Sequence, residues 1–178
     1  MGTRSVTATV KGSIAASVNN VLSDGTKVAS VTVGVALSAT LGQGSGAGQS
    51  DRAWSEYSRL LADAANEDLD IYDLGTRDIG AGAGLDATGQ AWAIAEVVGM
   101  IIYNAGPGVL TVTPSASNGW TPLLGASGTH AIGAGGFLQI YNPADPAYVV
   151  TDASSNKLNF AAASGACTYD VHIVARSA

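Results

Sequence analysis

Charge is scarce in this chain: Asp, Glu, Lys and Arg supply 12% of 178 residues, about half the usual share. A freely circulating monomer normally keeps a charged, mixed surface to stay dissolved, so this composition implies a surface covered by partners. The eight basic residues stand singly along the chain. Nucleic-acid modules need Lys and Arg gathered into a stripe that neutralises phosphates, so no nucleic-acid partner is expected. The single cysteine, Cys167, excludes an intrachain disulfide framework and a multi-cysteine zinc site. It stands in an apolar alternation, as a buried, inert thiol would. Long apolar runs are missing too. Residues 28–41 are the most apolar early stretch, but Ser, Thr and Gly interrupt it and it falls short of the roughly 20 residues of a span. Residues 1–20 lack a charged start followed by an apolar run, so neither an export leader nor a membrane partner is expected.

Aromatic residues are absent from the first 53 positions, and every Trp, Tyr and Phe lies from Trp54 onward. Aromatic side chains supply much of the area that closes a core. The leading third therefore needs another surface to lie on. What it does have is strict period-two alternation, the pattern of a strand with one apolar face. Val6, Ala8, Val10 and Ile14 alternate with Thr7, Thr9, Lys11 and Ser13. From Lys27 to Leu41 the apolar parity is Ala29, Val31, Val33, Val35, Leu37, Ala39 and Leu41, set against Ser30, Thr32, Ser38 and Thr40. Ser23-Asp24-Gly25 between them is a turn by composition. The two segments predict a long β-hairpin arm.

Gly42–Gly48 (GQGSGAG) has the composition of a flexible linker, which places an arm and linker at 1–48 and a body at 49–178. In the body, residues 51–65 are ambiguous. Ala53, Trp54, Tyr57, Leu60, Leu61 and Ala64 recur at helical spacing, while the β character of the rest leaves an extended reading open. Strands are expected at Leu69–Leu74, Gln90–Tyr103, Gly108–Thr113, Trp120–Leu124, Phe137–Tyr141, Ala147–Thr151, Lys157–Ala161 and Cys167–Arg176. Gln90–Tyr103 is apolar on both parities, as a central strand covered on both faces would be. Cys167–Arg176 alternates most cleanly, with Thr168, Asp170, His172 and Arg176 on its polar side. About eight strands at this spacing predict an all-β fold, a jelly-roll-like β-sandwich carrying a β-hairpin arm.

Chemistry-bearing patterns are few. His130 and His172 are the only histidines, and His172 lies on the opposite strand parity from Cys167, so the two cannot form a thiolate–imidazole pair. No Gly-x-Ser-x-Gly elbow is present. Gly42–Gly48 has no following Lys-Ser/Thr, and Gly80–Gly84 does not lie between a strand and an opening helix, so neither is a phosphate loop. Gly75–Gly82 resembles Gly128–Gly135, which in a Gly- and Ala-rich chain is read as chance or a shared turn rather than a repeat architecture. Ten of the fourteen acids fall within 51–96. The cluster Asp63, Glu67, Asp68, Asp70, Asp73 departs from the EF-hand pattern, with no Gly at the sixth and no Glu at the twelfth position from Asp68. It reads as a solvated face or a complement to a basic neighbour. A hydrolase built on these acids is the rival reading, though only Tyr72 stands near to line a cleft. No catalytic residue, metal or cofactor is assigned. Candidate contact residues are Val6, Val10, Val31 and Val33 on the arm, with Trp54, Tyr57 and Trp120 in the body. Trp120, beside Asn118-Gly119, is equally suited to capping the sandwich core.

From about Glu67 to Ala178 the chain resembles small virion proteins of tailed bacteriophages. The residues carrying the resemblance are Glu67-Asp68-Leu69-Asp70, Ile101-Ile102-Tyr103-Asn104, Leu110-Thr111-Val112 and Ser117-Asn118-Gly119-Trp120. Gly135-Gly136 before Phe137-Leu138, Ala147-Tyr148-Val149-Val150-Thr151 and Tyr169-Asp170-Val171-His172-Ile173-Val174 complete it. The resemblance implies a capsid decoration or cement protein: a non-enzymatic jelly roll, made in the host cytoplasm and seated on the head exterior. Its expected partners are the major capsid protein and further copies of itself, as a homotrimer. A tail or fibre module that binds a receptor or glycan is the alternative, because a sandwich serves either role.

Overall fold

The computed structural model describes residues 6–21, 27–74, 85 and 91–177, with backbone alone at 14–21 and 27–35. The expected turn at 23–25, the Gly75–Gly82 segment, Gly80–Gly84 and the acids Asp78 and Asp86 lie outside the described residues. Twelve strands and no helix make up the regular structure of the described residues, so the chain is all-β.

The arm is an antiparallel pair, β1 (Ala8–Val21) and β2 (Lys27–Gln43). Its register sets Ala8 opposite Leu41, Val10 opposite Ala39, Ile14 opposite Val35, Ala16 opposite Val33 and Val18 opposite Val31. The apolar parity of one strand therefore meets the apolar parity of the other from Ala8↔Leu41 to Val18↔Val31, before the register shifts between Asn20 and Val21. The glycine segment that follows is tied down rather than open. Gly42 N–H donates to Gly48 O at 3.1 Å, Gly44 N–H to Ser50 O at 3.2 Å, and Gly48 N–H to Pro143 O at 2.9 Å. Gly44 and Gly48 have φ of 138° and 71°, a region other residues rarely adopt. That freedom lets the chain coil back, so that β3 (Gln49–Ser50) pairs in parallel with the end of β2.

The body contains two antiparallel sheets. One is built from β4 (Arg52–Leu61), β6 (Glu96–Asn104), β9 (Phe137–Tyr141), β10 (Tyr148–Val149) and β12 (Cys167–Arg176). Its order is β10-β6-β12-β4, with β9 also on β6. The other runs β5-β11-β7-β8, from β5 (Asn66–Asp70), β7 (Val109–Pro114), β8 (His130–Ile132) and β11 (Lys157–Ala163). Alternating residues of both sheets form one core. Met100, Ile102, Tyr169, Val171 and Ile173 come from the first, and Leu69, Leu110, Val112, Leu158 and Phe160 from the second. Phe160 and Tyr169 stack across the interior with centroids 4.9 Å apart. The arrangement is β-sandwich-like, its aromatic area all supplied by the body.

Residues 52–61 form a strand, and the helical look of their spacing has a local cause. Ser58 adopts φ 55°, and the β4–β12 pairing slips between Tyr169 and Val171. A bulge of this kind flips the side-chain parity, so Trp54 and Leu61, seven residues apart, both reach the core. Trp120–Leu124, expected as a strand, is instead a run of turns. Pro122 cannot donate to a ladder, and Gly125 N–H closes back on Thr121 O at 2.8 Å. The short strand β8 was not foreseen. Arg176, on the polar parity by simple alternation, is 1% exposed. It keeps that parity, because the extra residue at the register shift is Val98 of β6, and it is buried instead under Gln49, Pro143 and Ala144, whose carbonyls it binds, with Glu96 at 2.8 Å.

Candidate interaction surface

The outer face of the five-stranded sheet is ordered in cross-strand rows by the register. Tyr141, Gly99, Val174 and Ala53 make one row; Gln139, Ile101, His172 and Ser55 the next; Phe137, Tyr103 and Asp170 the third. The base of the arm lies over the first two. A Cβ placed on Gly99 would meet Val10 Cγ2 at 3.6 Å and Val174 Cγ2 at 3.1 Å, so the missing side chain admits the arm close to the sheet. Gln139 Nε2 donates to Lys11 O at 3.0 Å. Beneath the arm an apolar gap of about 200 Å³ remains between Val10, Ser55, Ile101 and His172. A groove of about 390 Å³ flanks it between Gly12, Leu37 and Tyr141. Well-packed interiors leave few such spaces, so the arm rests on this face without sealing it.

Coverage ends at the third row. Along β6 the outer residues run from buried Gly99 through half-buried Ile101 to exposed Tyr103. Fractional exposure is 37% at Tyr103, 63% at Phe137, 68% at Tyr57, 71% at Leu60 and 68% at Leu37 of the arm. Tyr57 packs edge-on to His172 at 4.8 Å. Large apolar side chains are thus gathered on one side of the molecule, beside the arm.

The sequence-derived contact residues divide. Val6 is buried at the arm's root, where its N–H donates to Gln43 Oε1. Val10 is half-buried against the sheet. Val31 and Val33 lie within the arm ladder, opposite Val18 and Ala16. Tyr57 is on the open face. Trp54 and Trp120 are not surface residues: both are core members, 1% and 0% exposed. Trp120 Nε1 donates to Val149 O at 2.9 Å, and its ring meets Tyr148 edge-on. Burying the largest side chains is what a core short of other aromatics requires. Leu60, Tyr103 and Phe137 were missed. A parity count would have found Phe137 and Tyr103, since each is the outward residue of a strand whose inward neighbours are apolar.

The acidic cluster is absorbed by local bonds. Glu67 holds Arg59 and accepts from Tyr169 Oη at 2.6 Å. The hydrogen bond to Glu67, outweighing partial burial, raises the Arg59 pKa above its ordinary value. Asp68 accepts from Ser115 Oγ and Asn159 Nδ2, both at 2.8 Å. Asp70 takes Asn156 Nδ2 at 2.9 Å and lies 3.8 Å from Lys157 Nζ. Asp63 accepts from Gly165 N–H at 2.8 Å. Among the described residues no group of three or more His, Cys, Asp or Glu is placed to hold a metal ion, and no helix is long and apolar enough to cross a membrane. Cys167 is fully buried, and that burial pushes its thiol pKa up. No family model, curated protein or solved structure matches the chain.

Proposed function

We propose that this chain is a non-enzymatic structural protein of a tailed-phage particle, a decoration or cement protein on the head exterior. It works in several copies, as a homotrimer, and binds the major capsid protein. The observation that carries this reading is the arm: a 14-residue strand paired in one apolar register with its neighbour and rooted on a compact body. A two-stranded hairpin by itself is marginal in water, so such an arm is most stable lying on something else. Many arms engaging at once around a symmetric shell give strong avidity from weak contacts.

A jelly roll is the finer fold we propose for the body. Its support is the strand order: consecutive strands β4 to β7 alternate between the sheets, β8 turns back on β7, β9 returns to the first sheet, and β11 and β12 each insert between two earlier strands. Two interlocked Greek keys have this connectivity. The acids, drawn into side-chain and backbone hydrogen bonds, serve the fold better than they serve hydrolysis. Exposed Tyr57, Tyr103 and Phe137 favour a second reading, a tail or fibre module whose aromatic face stacks on a glycan.

The test uses purified protein and expanded heads of its phage. Co-sedimentation should load the wild-type chain, with density on the head exterior. The arm variant Val31→Asp/Val33→Asp should lose at least about tenfold in affinity. Full loading of the variant, or density confined to the tail, would refute the cement role.

A further inference from the structure

We propose that the open part of the sheet face, around Tyr57, Leu60, Tyr103 and Phe137, is the seat for the arm of a second copy of this chain. This deepens the reading above, resting on it only in taking the arm to seek a partner. Three observations bear on the occupant.

The first is continuity. The chain's own arm already binds this sheet through Val10 and the Gly99–Val174 row, so apolar hairpin on apolar sheet face is a contact the molecule makes. The third row continues that surface without a break, and its aromatic residues are left exposed. The arm ladder also continues, from Ile14↔Val35 to Val18↔Val31, in the same alternation.

The second is charge. Residues 1–50 hold Arg4, Lys11 and Lys27 against Asp24, a net of +2, which leaves −8 of the total −6 on residues 51–178. Asp170 lies in the open row itself. The part of the arm beyond Ser13 carries only Asp24 and Lys27 and is neutral, so it approaches an anionic body without the repulsion that two bodies face to face would meet.

The third is size. Eight residues beyond Ser13 extend roughly 26 Å, and two strands are about 10 Å wide, so one arm covers roughly 260 Å² of a neighbour. Counting both surfaces gives about 520 Å² for each seated arm. In the homotrimer each interface carries one seated arm, and the three arms together bury about 1,500 Å². Each copy gives one arm and receives one, so the assembly closes on itself.

Sedimentation equilibrium of the purified full-length chain, with no phage particles present, tests this. The wild type should self-associate. The seat variant Leu60→Glu/Phe137→Glu and the arm variant Val18→Asp/Val31→Asp should each weaken association by at least about tenfold. The seat positions are exposed, so the melting temperature of the body in that variant should match wild type. A wild-type chain that stays monomeric, including a monomer that binds glycans through this face, overturns the proposal. So does a seat variant that associates normally. If only the seat variant dissociates, the sheet faces pair with each other and the arm has no seat there. Failure here is separable from failure of the cement role. A monomer that still decorates heads removes the exchange alone, and an arm-exchanged oligomer that ignores heads removes the cement role alone.

Discussion

The body and the arm are both built from alternating strands, yet they are held together by different means. In the body, two sheets face each other and alternate residues of each close on a shared interior, with Trp54, Trp92, Trp120, Phe160 and Tyr169 inside it. The arm has one pair of strands, no aromatic residue, and a single apolar parity. Hydrophobic stabilisation scales with area removed from water, and a lone hairpin has no second layer against which to remove it. The same pattern that folds the body therefore makes the arm dependent.

Perturbing each part should expose this contrast. Phe160→Ala, which empties the centre of the core and unstacks Tyr169, should cost about 3–5 kcal/mol, read by urea unfolding. A loss below about 1 kcal/mol would mean that the two sheets are not one cooperative unit. Arg176→Ala tests the junction. Arg176 holds Glu96 together with the carbonyls of Gln49, Pro143 and Ala144. Removing one partner of a buried pair should cost about 3 kcal/mol, and should also loosen the arm's root as read by protease cutting near Gly46. At the small end, Leu37→Asp on the arm should leave body stability within about 0.5 kcal/mol while weakening self-association. A large loss of body stability would show that the arm belongs to the core. Cys167 offers a probe of the body alone. Its burial and raised pKa keep the thiol protonated at neutral pH, so alkylation should proceed only as fast as the body opens.

The arm was the most legible element, because alternation over many residues with matching parity admits few other arrangements. The final strand was equally clear, with Cys167, Tyr169, Val171 and Ile173 all inward. What stayed hidden was whatever breaks parity. The Ser58 bulge let Trp54 and Leu61 mimic a helix face, and Arg176 was buried on its outward parity by distant segments at Gln49, Pro143 and Ala144. The glycine segment was legible in composition but not in its hydrogen bonds, which depend on Pro143 O from a distant loop. At the surface, tryptophan size was a poor guide. Trp54 and Trp120 both went to the core, the place weighed for Trp120 alongside a contact role, and smaller Tyr103, Phe137 and Leu60 were left outside. Which face stays open is set by how far the arm reaches over the sheet, and local sequence does not encode that distance.

Native-state hydrogen exchange on the full-length chain tests the dependence of the arm most directly. In dilute monomer, amides of 14–21 and 27–35 should exchange far faster than those of β6 and β12, and should gain protection once copies associate or particles are added. Body protection should stay fixed throughout. Arm amides as slow as β12 in the dilute monomer, with nothing gained on assembly, would contradict it.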